Sequence, residues 1–385
     1  MTESALLDRV RRRLAASPAS DVEDVLRGEP DLLADDATIH QLRARIDAEL
    51  QGAGPLEPLL SLPGVTDVLV NAPGQVWFDR GRGLERSELR FEDDAAIRRL
   101  AQRLAAGAGR RLDDASPFVD VVLSDGTRLH AALPPVVAHP TLSMRVLGRA
   151  RLGLDDLVQA RMMTAGLADL MRSLIESGVS LVIAGGTGTG KTTLLGALLD
   201  CVPHAERVLL LEDVREVVCA HPHLVRLVAR TANVEGAGSV DLRDLVRQAM
   251  RMRPDRIVVG EFRGAEVSDL LSALNTGHPG GLATVHANSV GDLPARFAAL
   301  GSLAGLDRLA IAEQVASAFQ LTVQLRRGRG GRRLVCEVGV IELVTGQLHA
   351  VPAVTMCGPG PGADRLRTVL AERGVARTVL PRGGQ

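Results

Sequence analysis

This chain of 385 residues contains a single lysine, which stands in the run GGTGTGKT between Gly185 and Thr192. Lysine and arginine together number 45, so arginine occupies every other basic position. Arginine can replace lysine at a solvated surface, but a compact ammonium fits beside the β- and γ-phosphates of a nucleotide where a planar guanidinium does not. The run matches GxxxxGK[ST], follows the apolar stretch SLVIA and opens the helical stretch KTTLLGALL. The sequence therefore predicts a strand, a phosphate-binding loop and a helix here.

The glycine-rich run predicts the contacts of a nucleoside triphosphate. Glycines let backbone N–H groups approach phosphate oxygens, and the positive end of the following helix adds to the attraction. Lys191 is predicted to contact the β- and γ-phosphates, and the hydroxyl of Thr192 to coordinate Mg²⁺. Guanine-specific proteins read the base with an Asn-Lys-x-Asp loop, which needs a second lysine, so we expect ATP. The residues predicted to bind it are Gly185, Gly186, Thr187, Gly188, Thr189, Gly190, Lys191, Thr192 and Thr193.

Composition argues against nucleic acid and membrane lipid as direct partners. The net charge is −1, so no general basic field attracts polyanions. Aromatic residues make up 2% of the chain and tyrosine is absent, which leaves few side chains for stacking on bases. The N-terminal run MTESALLDRVRRRL lacks the apolar core of a signal peptide, and no uncharged stretch of membrane-spanning length lacks proline and glycine. We therefore predict a cytoplasmic protein that associates peripherally with a membrane through partners.

Changes in the hydrophobic pattern divide the chain into five predicted segments. Residues 1–50 have helical periodicity and form a predicted N-terminal extension. Residues 51–148 combine a predicted hairpin, VTDVLV-NAPG-QVWFDR, with a helix and further strands, which indicates a small α+β domain. A charged linker over 149–163 precedes an α/β domain over 164–350, whose short apolar strands alternate with helices, as in a mostly parallel sheet covered on both faces. The remainder, 351–385, is rich in Gly, Pro and Arg and is predicted to be a flexible tail.

Polar side chains follow the apolar strands of this α/β domain, at the strand ends where parallel sheets bind ligands. RVLLL ends at Glu212 and Asp213, RIVV ends at Gly260 and Glu261, and GLATV ends at His286. Gly260 stands where many nucleotide hydrolases carry a magnesium-binding aspartate. Each of these side chains alone could be a solvated loop residue, but their common position predicts one site.

The residue types at these strand ends suggest separate roles. Glu212 is predicted to orient or deprotonate the attacking water, because a carboxylate near the γ-phosphate can act as a general base. Glu261 is predicted to reach Mg²⁺ together with Thr192, and His286 to sense the γ-phosphate. His278 and His286 could also form a metal pair, but the sequence offers no third ligand.

Three longer runs resemble the conserved boxes of the type II/IV secretion-system ATPases. LEDVREV is similar to the Asp box, MRMRPDRIVVGEFRGAE to the atypical Walker B and NTGHPGGLATVHANS to the His box of that family. The likeness is greatest to the tight-adherence pilus branch of high-GC actinobacteria and covers about residues 52–345. Within the first domain, PFVDVVLSDGTRLHAALPPVV and LSMRV belong to the same resemblance.

The resemblance implies a homo-hexameric ATPase in which an N-terminal sensor-like domain moves against a RecA-like P-loop domain. It also implies that arginines of the first domain reach the phosphates, and Arg128 in DGTR and Arg145 in LSMR hold the matching positions. Arg215 departs from the Asp box, where a small or neutral residue is usual, and the zinc-binding tetracysteine insert of some relatives is absent. The implied box residues are Glu212 and Asp213 (Asp box), Glu261 (Walker B), and His278 and His286 (His box).

The function that these observations predict is a hexameric motor powered by ATP hydrolysis. The resemblance implies that it drives pilus assembly or protein secretion from the cytoplasmic face, through platform proteins of the inner membrane. The alternative is a hexameric nucleic-acid translocase or helicase on the same RecA-like core, which the low aromatic content and near-neutral charge disfavour. A nucleotide-binding regulatory module without turnover conflicts with the full set of acidic and histidine boxes.

Overall fold

The computed structural model divides into two compact units, Met1–Leu147 and Gly148–Gln385. The predicted helical extension over 1–50 lies outside the described residues, apart from three isolated positions. The structure describes residues 52–146, 151–230, 238–328, 331–375 and 380, together with Arg9, Arg13 and Val25.

The first unit is an antiparallel sheet covered on one face by a long helix. Its six strands lie in the order β3-β2-β1-β6-β5-β4. They are β1 (Asp67–Ala72), β2 (Gln75–Asp79), β3 (Leu84–Arg86), β4 (Phe118–Val122), β5 (Arg128–Ala132) and β6 (Thr141–Arg145). A 3₁₀ turn (Gly54–Leu56) and the helices α1 (Glu57–Leu60) and α2 (Asp94–Gly107) complete the described part of the unit.

Alternation of apolar and polar residues decides which face of this sheet is buried. In β4, Val119 and Val121 are buried while their neighbours are exposed, so one side of each strand packs toward α2. The carboxylate of Asp93 accepts a hydrogen bond from the N–H of Ala96 at 2.7 Å, and this cap begins α2 where its apolar stripe begins. The predicted hairpin is confirmed, because β1 and β2 pair antiparallel on either side of a tight turn.

The second unit is built on a nine-stranded sheet. Its strands are β7 (Leu181–Gly185), β8 (Val208–Glu212), β9 (Leu224–Val228), β10 (Arg256–Phe262), β11 (Leu282–Val285), β12 (Leu321–Arg327), β13 (Arg333–Val344), β14 (Gln347–Thr355) and β15 (Gly358–Pro359). A 3₁₀ turn covers Val290–Asp292. The helices are α3 (Leu154–Gln159), α4 (Ala165–Glu176), α5 (Lys191–Leu199), α6 (Leu242–Ala249), α7 (Glu266–Asn275), α8 (Leu293–Leu303), α9 (Arg308–Ala318) and α10 (Ala363–Glu372).

Strand order in this sheet is β15-β14-β13-β12-β7-β11-β10-β8-β9. The strands from β12 to β9 run parallel, and β13, β14 and β15 add antiparallel at the other edge. β7, β8 and β11 are buried along their whole length, and a separate apolar core lies on each face of the sheet. These pairings confirm the predicted α/β fold with a mostly parallel sheet. The continuous apolar runs form its strands because such runs are stable only when helices cover both faces of the sheet. No helix of the described residues is long and apolar enough to cross a bilayer.

The predicted linker over 149–163 is wrong for the residues from 151 onward. These residues form α3 and the segment after it, and they belong to the core of the second unit. Leu154 and Leu157 of α3 are buried there, as are Met162 and Met163. The charged side chains of this segment face solvent. They dominate its composition, so composition alone does not indicate the apolar side of the short helix.

The predicted flexible tail over 351–385 is wrong for the described residues up to 375. β14 continues to Thr355, and α10 buries Leu366 and Leu370 in the same core as β7. The apolar residues of α10 recur at helical spacing, which places them on one face against the sheet. Glycine and proline before this helix dominate the composition and hide that spacing.

Candidate active site

The phosphate-binding loop occupies residues 186–190, between the end of β7 and the start of α5. Gly188 and Gly190 have φ values of +70° and +95°, a left-handed backbone that residues with a Cβ rarely adopt. The hydroxyl of Thr189 donates to the carbonyl of Gly186 at 2.9 Å and closes the loop on itself. Thr192 and Thr193 lie half-buried in the first turn of α5, and Thr187 is exposed at the loop tip. The loop residues predicted from the sequence therefore lie together on one compact turn.

Gly185 is a position where the loop tolerates no side chain. A Cβ there would lie 2.7 Å from the Oγ1 of Thr189 and 2.9 Å from the carbonyl oxygen of Leu325, so the backbone would have to shift. We expect Gly185→Ala to lower the free energy of unfolding by about 1–3 kcal/mol, the usual cost of overpacking a core. The urea unfolding midpoint of the intact chain measures this loss.

Gly186→Ala is the matched control for that substitution. Its nearest contact would be the Cγ2 of Thr189 at 3.9 Å, an ordinary van der Waals distance. The unfolding midpoint of Gly186→Ala should equal or slightly exceed that of the wild type, since alanine restricts the unfolded chain more than glycine does. Equal losses in both variants would contradict the steric explanation.

Lys191 is buried and its ammonium is surrounded by acceptors from three strands. Its Nζ donates to the carbonyls of Gly185 at 3.0 Å and Gly186 at 3.1 Å. The same Nζ lies 3.3 Å from the Nε2 of His286 and 3.5 Å from the Oε1 of Glu261. Burial lowers the pKa of Lys191 although Glu261 opposes that shift. The ammonium thus stands at the centre of the site, held by weak neutral acceptors and one carboxylate.

Glu261 lies on β10 at an irregularity in the sheet. The β10–β11 register shifts between Val259 and Phe262, and such a bulge re-aims the side chains within it. One carboxylate oxygen of Glu261 lies 2.9 Å from the Nε2 of His286, and the other accepts a bond from the Nε of Arg263 at 2.7 Å. Burial raises the pKa of Glu261, but Arg263, Lys191 and His286 outweigh it and keep the pKa below its usual range.

His286 follows β11 and reaches the same cluster. β11 pairs in parallel with β7, and Val285 lies opposite Ala184, so the next residue of each strand stands at the same sheet edge. Burial and the neighbouring Lys191 lower the pKa of His286, against the influence of Glu261. The neutral imidazole is therefore the favoured form near pH 7. Sequence and structure agree in bringing Lys191, Glu261 and His286 together.

The surroundings of Glu212 differ from those expected for a residue that prepares the attacking water. Its side chain is 2% exposed, and one oxygen accepts the backbone N–H groups of Glu216 at 2.8 Å and Val217 at 2.7 Å. The other oxygen pairs with Arg226 of β9. Burial raises the pKa of Glu212 although these bonds oppose it. Both oxygens of Glu212 already bind protein donors in a buried place, which favours a role in holding this turn over one in preparing water.

The position of the Glu212 side chain also explains why residue 260 is a glycine. A Cβ on Gly260 would lie 3.1 Å from the Cγ of Glu212 and 3.5 Å from the carbonyl of Leu211. The carbonyl of Gly260 accepts from the hydroxyl of Thr284 at 2.5 Å, which keeps this backbone in place. Glu212 thus occupies the space that a side chain at position 260 would need.

Glu216 and Arg263 are site residues that the sequence analysis missed. Burial lowers the pKa of Arg263, but its bond and charge contact with Glu261 outweigh burial and raise the pKa, and Asp213 and Glu216 on the turn after β8 add to the increase. Glu216 also acts in the same sense on the pKa of Lys191. The signal in the sequence was the second glutamate of LEDVREV, which stands four residues after Glu212 on the same turn.

His278 does not join the site within this chain. It precedes β11, whereas His286 follows it, so the two histidines stand at opposite ends of one strand. The Nδ1 of His278 lies 3.0 Å from the carbonyl of Ala273 in α7, as expected for a ring N–H that caps a helix end. Within this chain His278 is therefore directed to α7 and not to the Lys191 cluster, and the length of β11 separates it from His286, so the two do not form a metal pair.

Arg128 and Arg145 lie in the first unit, on neighbouring strands. They are directly opposite each other in the β5–β6 ladder. The Nε of Arg145 donates to the Oδ1 of Asp67 across the β1–β6 ladder at 2.9 Å. Like charges placed opposite each other weaken a sheet, and the contact of Arg145 with Asp67 opposes that effect.

Parallel strands that deliver a phosphate-binding lysine, a carboxylate and a histidine to one sheet edge define a P-loop ATPase with a RecA-like core. The chain belongs to the family described as type II/IV secretion system protein, whose model matches residues 49–342. The family assignment confirms the predicted ATPase class.

Two relatives and one solved structure illustrate the likeness. The "Putative conjugal transfer protein Rv3659c" of Mycobacterium tuberculosis is 53% identical over 327 residues, which cover 83% of this chain and 93% of that protein. Conjugal transfer protein TrbB of Rhizobium radiobacter is 33% identical over 282 residues, covering 70% and 82%. The Yersinia pseudotuberculosis ATPase DotB has a TM-score of 0.51 and 18% identity, over 73% of this chain and 76% of that one, and this likeness concerns the fold alone.

Proposed function

We propose that the protein is a homo-hexameric motor that powers assembly of a tight-adherence type of pilus, or secretion, from the cytoplasmic face of the membrane. It would associate peripherally with that membrane through inner-membrane platform proteins and belong to the actinobacterial form of the branch. The observation that carries the proposal is the Lys191–Glu261–His286 cluster, within 3.5 Å of the lysine, in a member of the secretion family. Relatives named for conjugal transfer and type IV secretion support a transport role.

The cluster assigns roles to its members when ATP occupies the loop. Phosphate oxygens are stronger acceptors for Lys191 than the carbonyls of Gly185 and Gly186 are, so we expect the ammonium to turn to the nucleotide. This leaves His286 as the remaining partner of the Oε1 of Glu261, and we propose that this oxygen then orients the attacking water. His286 then lies where it can hydrogen-bond the γ-phosphate and report its presence.

Magnesium suits the oxygen donors at this edge. Thr192 lies in the first turn of α5, and Glu261 follows the apolar part of β10. Their hydroxyl and carboxylate oxygens are ligands of the kind that Mg²⁺ prefers. We propose that these two residues hold Mg²⁺ with the nucleotide. The ion would supply positive charge to the phosphates during hydrolysis.

Replacing the two strand-end glutamates by glutamine separates their roles. Glu261→Gln should lower kcat by about 10²–10⁴-fold, because the variant cannot accept a proton from water. Glu212→Gln should keep kcat within about tenfold, because the amide oxygen still accepts from Glu216 and Val217. Phosphate release at saturating ATP measures both rates.

Binding of ATP in the absence of Mg²⁺ supplies the control for these two variants. Affinity for ATP should remain within about tenfold of the wild type in both, since neither side chain contributes the loop N–H groups that bind phosphate. An equal collapse of kcat in Glu212→Gln and Glu261→Gln would restore the role of water activation to Glu212.

Assembly into a ring and independence from nucleic acid test the motor itself. The specific ATPase activity should rise with protein concentration as hexamers form, and single-stranded DNA or RNA at physiological salt should leave it unchanged. Sedimentation at the same concentrations identifies the active species. Activity from a stable monomer would remove the hexamer, and a many-fold stimulation by either polymer would favour the translocase.

The transport role is tested in the cells that make this protein. A chromosomal Lys191→Ala substitution should abolish surface pili or the secreted substrate while the protein level stays normal. Pili and secretion that persist in this strain would overturn the proposed function.

A further inference from the structure

Arg333 lies against the phosphate-binding loop although it is far from it in sequence. It begins β13, and its Nε donates to the carbonyl of Gly188 at 3.1 Å. In the sheet, β12 and β13 lie on one side of β7 while β11 and β10 lie on the other. The loop is therefore flanked by Glu261 and His286 on one side and by Arg333 on the other.

Packing fixes the position of this arginine. A Cβ on Gly190 would lie 3.3 Å from the Cδ of Arg333 and 3.3 Å from the Cε of Met162, so the stem of the arginine covers the loop backbone. Met162 is buried, and its carbonyl accepts from the N–H of Val335 at 2.9 Å. This bond at Val335, two residues after Arg333, thus fixes the first part of β13.

The charge of Arg333 has no carboxylate partner within the part of the chain that the structure describes. Other arginines near the sheet do have one, such as Arg226 with Glu212 and Arg263 with Glu261. The recorded bond of Arg333 uses one of five guanidinium N–H donors, and its acceptor is a neutral carbonyl. Phosphate oxygens form shorter and stronger bonds with guanidinium than carbonyls do.

We propose that Arg333 is a nucleotide-binding residue that contacts the polyphosphate bound at the loop of its own subunit. The guanidinium exchanges the carbonyl of Gly188 for phosphate oxygens when the nucleotide binds. Nucleotide binding then changes the contacts of the β12–β13 hairpin as well as those of the strand ends that carry Glu261 and His286. The inference rests on nucleotide binding by this loop and is independent of which macromolecule the motor moves.

Direct binding of ADP to the intact chain tests the proposal without hydrolysis. Arg333→Met keeps most of the apolar stem and removes the charge, so its affinity for ADP should fall about tenfold, the loss expected when a charged hydrogen bond is removed. Its affinity for adenosine, which has no phosphate, should equal that of the wild type. Arg333→Lys should bind ADP with intermediate affinity, because it restores the charge without the planar donors. Isothermal titration, with adenosine read by competition, measures these affinities.

Arg326→Met is the matched control on the same hairpin. Arg326 is exposed near the end of β12 and pairs across the ladder with Leu334, and no contact to the loop is recorded for it. This control should bind ADP as the wild type does. The proposal is overturned if Arg333→Met binds ADP within about twofold of the wild type. It is also overturned if that variant loses ADP and adenosine affinity equally, or if Arg326→Met loses as much.

Discussion

Lys191→Ala is expected to abolish ATP hydrolysis while the fold remains intact. The variant should lose about 10³-fold or more in turnover, because it removes the one side-chain cation that the loop directs at the β- and γ-phosphates. The loop should keep its shape, since Gly188, Gly190 and the Thr189–Gly186 bond determine the backbone. Phosphate release measures turnover, and far-ultraviolet circular dichroism measures the fold.

Lys191→Arg is the more demanding variant of this test. It preserves the charge, but a planar guanidinium does not fit the space beside Gly185, Gly186 and Glu261 that the ammonium occupies. Turnover should therefore be lost as completely as in Lys191→Ala. Hydrolysis near the wild-type rate in Lys191→Arg would refute the geometric reason for the single lysine, and loss of the circular dichroism signal would assign the residue a structural role.

Arg145→Ala is expected to reduce turnover by about 10³–10⁵-fold, the range in which an arginine that stabilises a transferring phosphoryl group acts. We propose that Arg145, with Arg128 beside it in the ladder, supplies this cation. The affinity for ATP should stay within about tenfold, since the loop provides the binding N–H groups. Single-turnover phosphate release and ATP titration separate the two quantities.

Stability should change little in Arg145→Ala. The side chain of Arg145 is 53% exposed in its ion pair with Asp67, and solvent-exposed ion pairs contribute about 0–1 kcal/mol. Arg86→Ala is the matched control, because Arg86 is an exposed arginine of the same sheet that donates to the carbonyl of Gly74. It should hydrolyse ATP as the wild type does. A fully active Arg145→Ala, or an equal loss in Arg86→Ala, would remove the arginine from the mechanism.

Local pattern was enough to predict the strands and the loop. Continuous apolar runs become buried parallel strands because only the middle of a covered sheet can accommodate them, and GGTGTGKT between such a run and a helix predicts a phosphate-binding turn. His286, after Val285, and Glu261, two residues after Val259, were predicted to share a site with Lys191 for the same reason, since parallel strands end at one edge. These features depend on neighbours in sequence and on one rule of sheet geometry.

The contacts of Glu212 and His278 could not be predicted from local sequence pattern. Both lie in boxes that resemble the family pattern, yet the structure buries Glu212 against Arg226 and directs His278 to the carbonyl of Ala273. Whether a carboxylate faces solvent or an arginine fourteen residues away depends on the pairing of β8 with β9. No local pattern records that pairing.

The sequence by itself determined a P-loop ATPase of the secretion family, and it predicted that the residues at the strand ends, from Glu212 and Asp213 to Glu261 and His286, share one site with Lys191. Only the tertiary structure decided that Glu212 anchors the turn carrying Glu216, that Arg333 flanks the loop, and that residues 363–372 form a core helix. The physical reason is distance along the chain. Strand and helix formation follow from the periodicity of nearby residues, whereas burial and ion pairing depend on segments that only the completed sheet brings together.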